Sequence, residues 1–445
     1  MAPVITRFAP SPTGLLHAGN YRTAIFAYLY AKKHGGTFLL RIEDTDTTRS
    51  KKEFEENILE SLSWLHLPHD GFFRQSERVE HHTQYLQKLI DGGHAYVSKE
   101  EGREEGERSE VIRFKNPGGI VTFTDLIRGD ITTDISDLND FVIAKSMTEP
   151  VFHLAVVADD ADMGITHVIR GEDHISNTPR QIVIQRALGL PTPTYAHLPL
   201  ILAPDRTKLS KRRGAKSLTE YRDLGFLREA MFNYLTLLGW NPGTDQEYFS
   251  EEELISLFDF SRVQKGGAIF DEIKLTSINQ YWLRKLSDED LVARAALESQ
   301  NRELLYTLLP IIRERAKTLL EAREMLVGEL SFFFETPAFE KELLLPKKER
   351  EGNKENFPAL FSAIQKHLLH TKSIIEVLTE AKPSPESVEK VLLPYAEEEG
   401  KSMVLWPLRV ALSGKERSPD PFTIISILGK DEVVERITRA LAILL

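Results

Sequence analysis

The sequence contains no cysteine among its 445 residues. Disulfide bonds and cysteine nucleophiles are therefore excluded, and a structural zinc site would lack its usual thiolate ligands, so we expect no zinc. No apolar run approaches the roughly 20 residues that a membrane-spanning helix needs, and the first residues lack the charged and apolar regions of a secretory signal. We expect a cytoplasmic protein that does not associate with membranes.

Positive charge is also in deficit, with 56 Lys and Arg against 67 Asp and Glu and a net charge of −11. Indiscriminate binding to nucleic acids depends on basic side chains that neutralise phosphates, so this balance argues against it. An RNA partner is still compatible with the composition, because a basic face can coexist with an acidic surface elsewhere. The length predicts about two to four domains with ample core.

The segment from Arg7 to Asn20 separates a strand-like run from a helical pattern. Val4 to Ala9 predicts a short buried strand, Asn20 to Lys33 a helix, and Thr37 to Ile42 a second strand. Two parallel strands joined by a helical crossover form a βαβ unit. The segment then lies at the carboxyl end of a strand and the amino end of a helix, where backbone N–H groups and the helix dipole favour phosphate.

The stretch from Asp205 to Lys216 is unusually basic for this acidic chain, with six basic residues and one acidic residue. Such a run is usually a solvated loop or a nucleic-acid patch.

Together the two segments resemble the signatures of the class I aminoacyl-tRNA synthetases. Ser11-Pro12-Thr13-Gly14 followed by His17-Ala18-Gly19-Asn20 is similar to the first signature, and the glutamyl- and glutaminyl-specific branch is the closest match. Lys208-Leu209-Ser210-Lys211 is similar to the Lys-x-Ser-Lys loop. Where many relatives carry a cysteine cluster, this chain has Val97-Ser98-Lys99-Glu100, in agreement with the absence of zinc.

The resemblance implies a glutamate–tRNA ligase. Such an enzyme activates L-glutamate with ATP and Mg²⁺, without metal ligands from protein side chains, and transfers it to the 3′ end of tRNA(Glu). Whether tRNA(Gln) is charged as well stays open. Three alternatives also stay open: a glutaminyl-tRNA synthetase, the relative that glutamylates a queuosine base, and a non-catalytic RNA-binding paralogue.

The resemblance also assigns residues. It implies electrostatic catalysis by His17, Lys208 and Lys211. It implies glutamate binding by Arg7, Ala9, Ser11, Glu43, Phe152, Val156 and Arg170. It implies ATP binding by His17, Gly19, Asn20, Asp173, Ile201, Lys208, Leu209, Ser210, Lys211 and Arg212.

Some of these assignments have a structural alternative. Arg7 and Arg170 end predicted strands, where a guanidinium could hold a substrate carboxylate bidentately or form an ordinary salt bridge. From spacing alone, Glu43 would cap the next helix, whereas the resemblance places it near the α-amino group of the substrate. Phe152 stands where the family often has tyrosine, and Val156 where some members have asparagine, so two polar groups are replaced.

Between about Ala95 and Pro150, short strand-like runs interrupt the βα rhythm, which predicts an insertion. In the family this insertion holds the tRNA acceptor end. Phe152 to Val157 then predicts that the strands resume. From Ser287 onward the pattern predicts only helices, broken at prolines that include Pro310. The candidate tRNA contacts, each of which could be an ordinary surface charge, are Arg113, Lys115, Arg128, Lys145, Arg313, Arg315 and Lys317.

The predicted fold is therefore α/β: a Rossmann-like class I synthetase catalytic domain with an inserted α+β acceptor-binding domain and an all-helical carboxyl-terminal anticodon-binding region. We expect a monomer. The predicted domains are a split catalytic domain (1–78 and 154–204), the insertion (79–153), a signature-loop and stem-contact domain (205–286) and two helical anticodon-binding subdomains (287–345 and 346–445).

Overall fold

A computed structural model describes residues 3–99, 110–209 and 216–445. The chain divides into two compact units, Met1–Trp282 and Leu283–Leu445. None of the helices in the described ranges combines the length and apolarity needed to cross a bilayer.

The first unit contains the strands. They are β1 (Ile5–Phe8), β2 (Thr37–Ile42), β3 (Gly71–Arg74), β4 (Ala95–Lys99), β5 (Glu110–Phe114), β6 (Ile120–Asp125), β7 (Gly129–Asp134), β8 (Phe141–Ser146), β9 (Glu149–Pro150), β10 (His167–Gly171), β11 (Thr194–Leu198), β12 (Ile201–Leu202) and β13 (Ala268–Ile269). Its helices are α1 (Ala18–Lys33), α2 (Lys52–Trp64), α3 (Val79–Asp91), α4 (Phe152–Asp162), α5 (Thr178–Ala187), α6 (Leu218–Asp223), α7 (Arg228–Leu237), α8 (Glu251–Leu257) and α9 (Glu272–Lys285), which runs past the unit boundary.

A seven-stranded sheet organises this unit, in the order β3-β2-β1-β10-β11-β6-β7. The strands from β3 to β6 pair in parallel, and β7 pairs antiparallel to β6. Apolar helices cover the sheet, and Tyr21, Phe26 and Phe38 are fully buried. The βαβ unit predicted around residues 4–42 is present as β1-α1-β2, so the carboxyl end of β1 meets the amino end of α1.

The predicted insertion forms two structures. Strands β4, β5, β8 and β9 make a separate four-stranded sheet, whereas the β6–β7 hairpin joins the edge of the main sheet through the Tyr195–Asp125 pair. A segment that looks inserted in the sequence therefore completes the sheet that carries β10 and β11.

The strand predicted over Phe152–Val157 is wrong, because these residues open helix α4. All seven residues from Leu154 to Asp160 are buried. A short apolar run that is buried on every side has no amphipathic period, so its pattern cannot distinguish a strand from a helix.

The second unit is helical, and no strand occurs in the fully described range 283–445. Its helices are α10 (Asp288–Arg294), α11 (Arg302–Arg315), α12 (Leu319–Val327), α13 (Lys347–Arg350), α14 (Phe357–Glu376), α15 (Pro385–Glu399), α16 (Lys401–Ser413), α17 (Pro421–Leu428) and α18 (Lys430–Leu444). The predicted break at Pro310 is wrong, because Pro310 lies inside α11. Buried Leu308, Leu309 and Ile312 on this helix show that packing offsets the one hydrogen bond that proline removes.

Candidate active site

The loop between β1 and α1 is held by its own backbone. The Glu43 amide donates to the Pro10 carbonyl at 2.9 Å, and the Lys51 amide donates to the Pro12 carbonyl at 3.0 Å. The segment after β2 therefore fixes the loop, and the chain re-enters regular structure at His17.

His17 is the N-cap of α1. Its Nδ1 accepts from the Gly19 amide at 3.1 Å, and its own amide donates to Asn20 Oδ1 at 3.2 Å. Because Nδ1 is an acceptor, the proton of the neutral ring is on Nε2. The cap thus makes His17 a hydrogen-bond donor at the amino end of a helix, where an anion is already favoured.

Gly19 allows this arrangement because it has no side chain. A Cβ at this position would lie 2.9 Å from His17 Cε1 and 3.0 Å from His17 Nδ1. We expect Gly19→Ala to displace the imidazole and to lower kcat by about 10- to 100-fold, since small misplacements of catalytic groups have effects of this size. Steady-state kinetics would measure it. Gly14→Ala is the matched control, because nothing lies within 4 Å of a Cβ there; equal losses in both variants would contradict the prediction.

The segment after β11 folds back on itself. The Leu209 amide donates to the Ile201 carbonyl at 2.9 Å, and the Ala203 amide donates to the Thr207 carbonyl at 2.8 Å. This turn places Lys208 beside β10, where its Nζ is 3.0 Å from Asp173 Oδ2. The predicted ATP ligands Ser210, Lys211 and Arg212 lie outside the described residues.

One cavity of about 380 Å³ collects the predicted residues. Every glutamate ligand and every described ATP ligand named from the sequence lines it: Arg7, Ala9, Ser11, His17, Gly19, Asn20, Glu43, Phe152, Val156, Arg170, Asp173, Ile201, Lys208 and Leu209. Residues more than 200 positions apart in the chain therefore share one space.

Arg7 lines this cavity, and its positive charge is paired with the buried carboxylate of Asp160. Its Nε donates to Asp160 Oδ1 at 3.1 Å and its Nη2 donates to Asp160 Oδ2 at 3.5 Å. Arg41, which is fully buried, donates to Asp160 at 2.7 Å and to Glu43 at 3.1 Å. Arg7, Arg41, Glu43 and Asp160 are thus all paired in the interior, and the pairing continues from Arg41 to Asp159 at 4.0 Å and from Asp159 to Arg78 at 2.7 Å.

Arg170 differs because its partners are neutral. Its Nε is 3.2 Å from His197 Nε2, and its Nη2 donates to Thr178 Oγ1 at 2.8 Å. Among the described residues, no carboxylate lies at ion-pair distance from it. Burial lowers the pKa of the Arg170 guanidinium to about 10. A buried cation without a counter-ion is costly, so an anionic ligand would be favoured at this position.

A second cavity of about 720 Å³ adjoins the first. The two share Ser11, Glu43 and Phe152, and Lys145 also lines the second one. The second cavity therefore opens onto three of the residues that are predicted to bind glutamate.

Comparisons with known proteins agree with this geometry. The family described as tRNA synthetases class I (E and Q), catalytic domain, matches residues 3–105 and 98–277, and the anticodon binding domain family matches residues 278–441. A glutamate–tRNA ligase from Aquifex aeolicus is 40% identical over 99% of both chains, and one from Nitratidesulfovibrio vulgaris is 39% identical over the full length of both. The chain belongs to the glutamate–tRNA ligase family.

A solved structure supports the same assignment. The glutamate tRNA ligase from Elizabethkingia meningosepticum, crystallised in complex with its amino acid, has a TM-score of 0.83 and 29% identity over 99% of each chain. The predicted fold class is confirmed, as is the prediction of a class I aminoacyl-tRNA synthetase specific for glutamate. The glutaminyl alternative and the non-catalytic paralogue are not favoured.

The predicted tRNA contacts of this glutamate–tRNA ligase are dispersed over the molecule. Several have intramolecular partners: Arg113 donates to the Asp140 carbonyl at 2.7 Å, Arg128 pairs with Glu172, Arg313 pairs with Asp288 at 2.6 Å, and Arg315 pairs with Glu329. Lys115 lies 5.9 Å from the centre of the Tyr96 ring, and Lys145 lines the second cavity. The Lys317 amide donates to Glu321 at 2.7 Å. As tRNA ligands, all seven stay predictions.

The residues that hold Arg7 and Arg170 were not predicted from the sequence. Asp160, His197 and Thr178 are buried, and none belongs to either signature segment. The signal for Asp160 was present in the paired acidic residues of an otherwise apolar run, Leu154 to Asp160. Asp44 and Asp46, which follow Glu43 in the chain, accept hydrogen bonds from Ser76 and Arg49 respectively. Within the described ranges, no group of three or more His, Cys, Asp or Glu side chains could hold a metal ion.

Proposed function

We propose that this glutamate–tRNA ligase uses ATP with Mg²⁺ to form glutamyl-adenylate and transfers the glutamyl group to the 3′ end of tRNA(Glu). The observation that carries the proposal is the buried, uncompensated charge of Arg170 in the cavity that also contains His17 and Lys208. One face of the cavity suits an anionic amino acid and the other a triphosphate.

Glutamate would bind through its three charged groups. Arg7 and Arg170 would meet carboxylates, since guanidinium groups bind them bidentately, and Glu43 would accept from the α-ammonium group. Asp160 already pairs with Arg7, whereas Arg170 has only His197 and Thr178 as hydrogen-bond partners among the described residues, so its positive charge would pair with a carboxylate of glutamate. Phe152 and Val156 would form the apolar wall beside its methylene groups.

ATP would bind across the two signature segments. The amino end of α1 and His17 Nε2–H would donate to phosphate oxygens, and Lys208 would exchange its contact with Asp173 for a phosphate. Asp173 would then be released to accept from the ribose, beside the backbone of Ile201. We propose the same phosphate contacts for Ser210, Lys211 and Arg212. Mg²⁺ would enter with ATP and neutralise part of the charge on the phosphates.

Two steps complete the reaction. An oxygen of the α-carboxylate attacks the α-phosphorus, the bond to pyrophosphate breaks, and glutamyl-adenylate forms. A hydroxyl of the terminal ribose then attacks the glutamyl carbonyl, loses its proton, and expels AMP. The second cavity would admit the terminal nucleotide. No protein nucleophile is needed, so positioning and charge stabilisation supply the catalysis.

The Glu43 carboxyl sets a pH dependence. Burial raises its pKa above the ordinary value of 4.5, and the charges of Arg41 and Arg7 oppose that shift. Because the α-ammonium group favours the ionised form, glutamate affinity should be complete above the raised pKa and fall as the pH decreases through it. We expect the glutamate KM to rise by up to about tenfold per pH unit below that pKa.

Pyrophosphate exchange at about pH 5 to 8 would measure this effect, since the ordinary pKa of a free glutamate side chain is lower. The Glu43→Gln variant is the control, because it cannot titrate. If its KM varied with pH as that of the unchanged enzyme does, Glu43 would not be the responsible group.

Charging assays test the proposed function directly. Purified tRNA(Glu) and tRNA(Gln) would be incubated with ATP and either labelled glutamate or labelled glutamine. We expect glutamate on tRNA(Glu), no glutamine on either tRNA, and pyrophosphate exchange that requires tRNA. Glutamine on tRNA(Gln) would restore the glutaminyl alternative, and no charging at all would support the non-catalytic one.

A further inference from the structure

His197 is a buried residue that contacts Arg170 but does not line the cavity. Its side chain has no exposed surface, and neither His197 nor its partner Asp125 is among the residues that face the substrate space. His197 can therefore act on a bound substrate only through Arg170.

The hydrogen bonds around the His197 ring determine where its proton lies. Nδ1 is 2.7 Å from Asp125 Oδ2, and Nε2 is 3.2 Å from Arg170 Nε. An arginine Nε always carries a proton, so His197 Nε2 must accept and cannot be protonated. The carboxylate of Asp125 can only accept, so the proton is on Nδ1. Thr178 Oγ1 also lies 3.1 Å from Nε2, and its hydroxyl can donate to the same acceptor. The ring is therefore neutral, with a single tautomer that satisfies all three neighbours.

Asp125 is itself saturated. Its Oδ2 also accepts from the His197 amide at 2.9 Å, and its Oδ1 accepts from the amides of Ile127 and Arg128, both at 2.9 Å. These last two bonds close the β6–β7 hairpin. The carboxylate therefore connects the hairpin at the edge of the sheet with the ring that supports Arg170.

The charges that face the ring agree with a neutral state. Asp125 approaches the ring from β6 and Arg170 from β10, while Tyr195 on β11 stacks against it at 5.8 Å. Arg128 of the hairpin turn donates to the backbone carbonyl of His197 at 3.3 Å. Burial lowers the pKa of His197, although the Asp125 hydrogen bond opposes that shift. Protonation of Nε2 would also direct an N–H at the Nε–H of Arg170.

This support leaves one part of the guanidinium for a ligand. His197 binds Nε, and Thr178 accepts from Nη2. Among the described residues, none has a hydrogen bond to Nη1, and Arg170 lines the cavity. Because the guanidinium is planar, the hydrogen bonds at Nε and Nη2 fix its orientation and therefore the direction of Nη1.

We propose that His197 is a positioning residue for amino-acid recognition: its unprotonated Nε2, kept so by Asp125, orients the guanidinium of Arg170 so that Nη1 faces the substrate carboxylate. This role rests on the proposed function, in which Arg170 binds glutamate. His197 touches no reacting atom, so its effect should fall on glutamate binding and leave ATP binding and the chemical steps largely unchanged.

Two variants separate the two ring nitrogens. In His197→Gln, the amide oxygen lies near the position of Nε2 and can still accept from Arg170. In His197→Asn, the amide nitrogen lies near the position of Nδ1 and can donate to Asp125, but Arg170 loses its acceptor. His197→Gln removes the contact of Nδ1 with Asp125, and His197→Asn removes the contacts of Nε2 with Arg170 and Thr178. The stability of each variant is therefore measured beside its kinetics.

The experiment measures KM for glutamate, KM for ATP and kcat by pyrophosphate exchange with tRNA present, together with the thermal unfolding temperature. We expect His197→Asn to raise the glutamate KM by about 10- to 100-fold, as loss of a hydrogen bond to a charged group does, with the ATP KM within about twofold. We expect His197→Gln to keep the glutamate KM within about threefold of the unchanged enzyme, since its acceptor is retained. Equal glutamate KM values in the two variants would overturn the proposal.

A third variant keeps the proposal testable if either histidine variant fails to fold. Asp125→Asn presents an amide N–H to Nδ1, so the ring must carry its proton on Nε2, against Arg170. We expect a similar rise in the glutamate KM, and an unchanged KM would overturn the proposal. If the protein without substitutions did not charge tRNA, the proposed function would be contradicted. If it were active but the His197 variants had the same glutamate KM, only the role of His197 would be contradicted.

Discussion

Replacing Arg170 by alanine is expected to lower kcat/KM for glutamate by about 10²- to 10⁴-fold, because removing one partner of a buried ion pair costs roughly 3–5 kcal/mol. Arg170 is 7% exposed and has only neutral protein partners, so the substrate carboxylate is the group that loses its counter-charge. Pyrophosphate exchange at varied glutamate concentration would measure the change. Most of the loss should be in KM.

Two controls distinguish this effect from general damage. Arg170→Lys keeps the charge but cannot bind His197 and Thr178 while presenting a third nitrogen, so an intermediate loss is expected. Arg186→Ala removes an exposed arginine from α5 and should stay within about twofold of the unchanged enzyme, as surface substitutions usually do. An Arg170→Ala enzyme with an ordinary glutamate KM would show that the buried charge serves another purpose.

Replacing His17 by alanine is expected to lower the rate of adenylate formation by about 10²- to 10³-fold, which is the usual effect of removing one donor to a charge that develops in the transition state. The donor is Nε2–H, because Nδ1 is occupied by the Gly19 amide. The same substitution removes the helix cap, at a cost of about 1 kcal/mol in the free energy of unfolding. Kinetics and thermal unfolding would measure the two losses separately.

His17→Asn is the matched variant, because asparagine is a favourable N-cap that lacks the imidazole. We expect it to retain the stability of the unchanged protein while losing most of the activity. If His17→Asn were fully active, the function of His17 would be to cap α1 and not to bind phosphate.

Local patterns accounted for much of the catalytic unit. The βαβ unit around residues 4–42 was predictable because its turns, its apolar periods and the residues that end its helix are neighbours in the chain. Ser217-Leu218-Thr219-Glu220 likewise has the Ser-x-x-Glu pattern of a capping box, and the box is present at the start of α6. The predicted glutamate and ATP ligands were named from a family resemblance. Those that the structure describes line a single cavity.

Long-range contacts were not predictable in this way. Asp160 lies 153 positions from Arg7, and Asp125 lies 72 positions from His197. The helix over Phe152–Asp162 was mistaken at its start for a strand, because burial on all sides removes the period that would reveal it. The same packing keeps Pro310 inside a helix.

The sequence by itself determined the turns, the helix cap at Ser217 and the kinds of side chain available for the chemistry, since these depend on residues within a few positions of one another. Only the tertiary structure decided which arginine pairs with a buried carboxylate and which has neutral partners among the described residues. That distinction depends on which buried carboxylate reaches each guanidinium, and burial is a property of the packed sheet and its helices, whose contacts join distant parts of the chain.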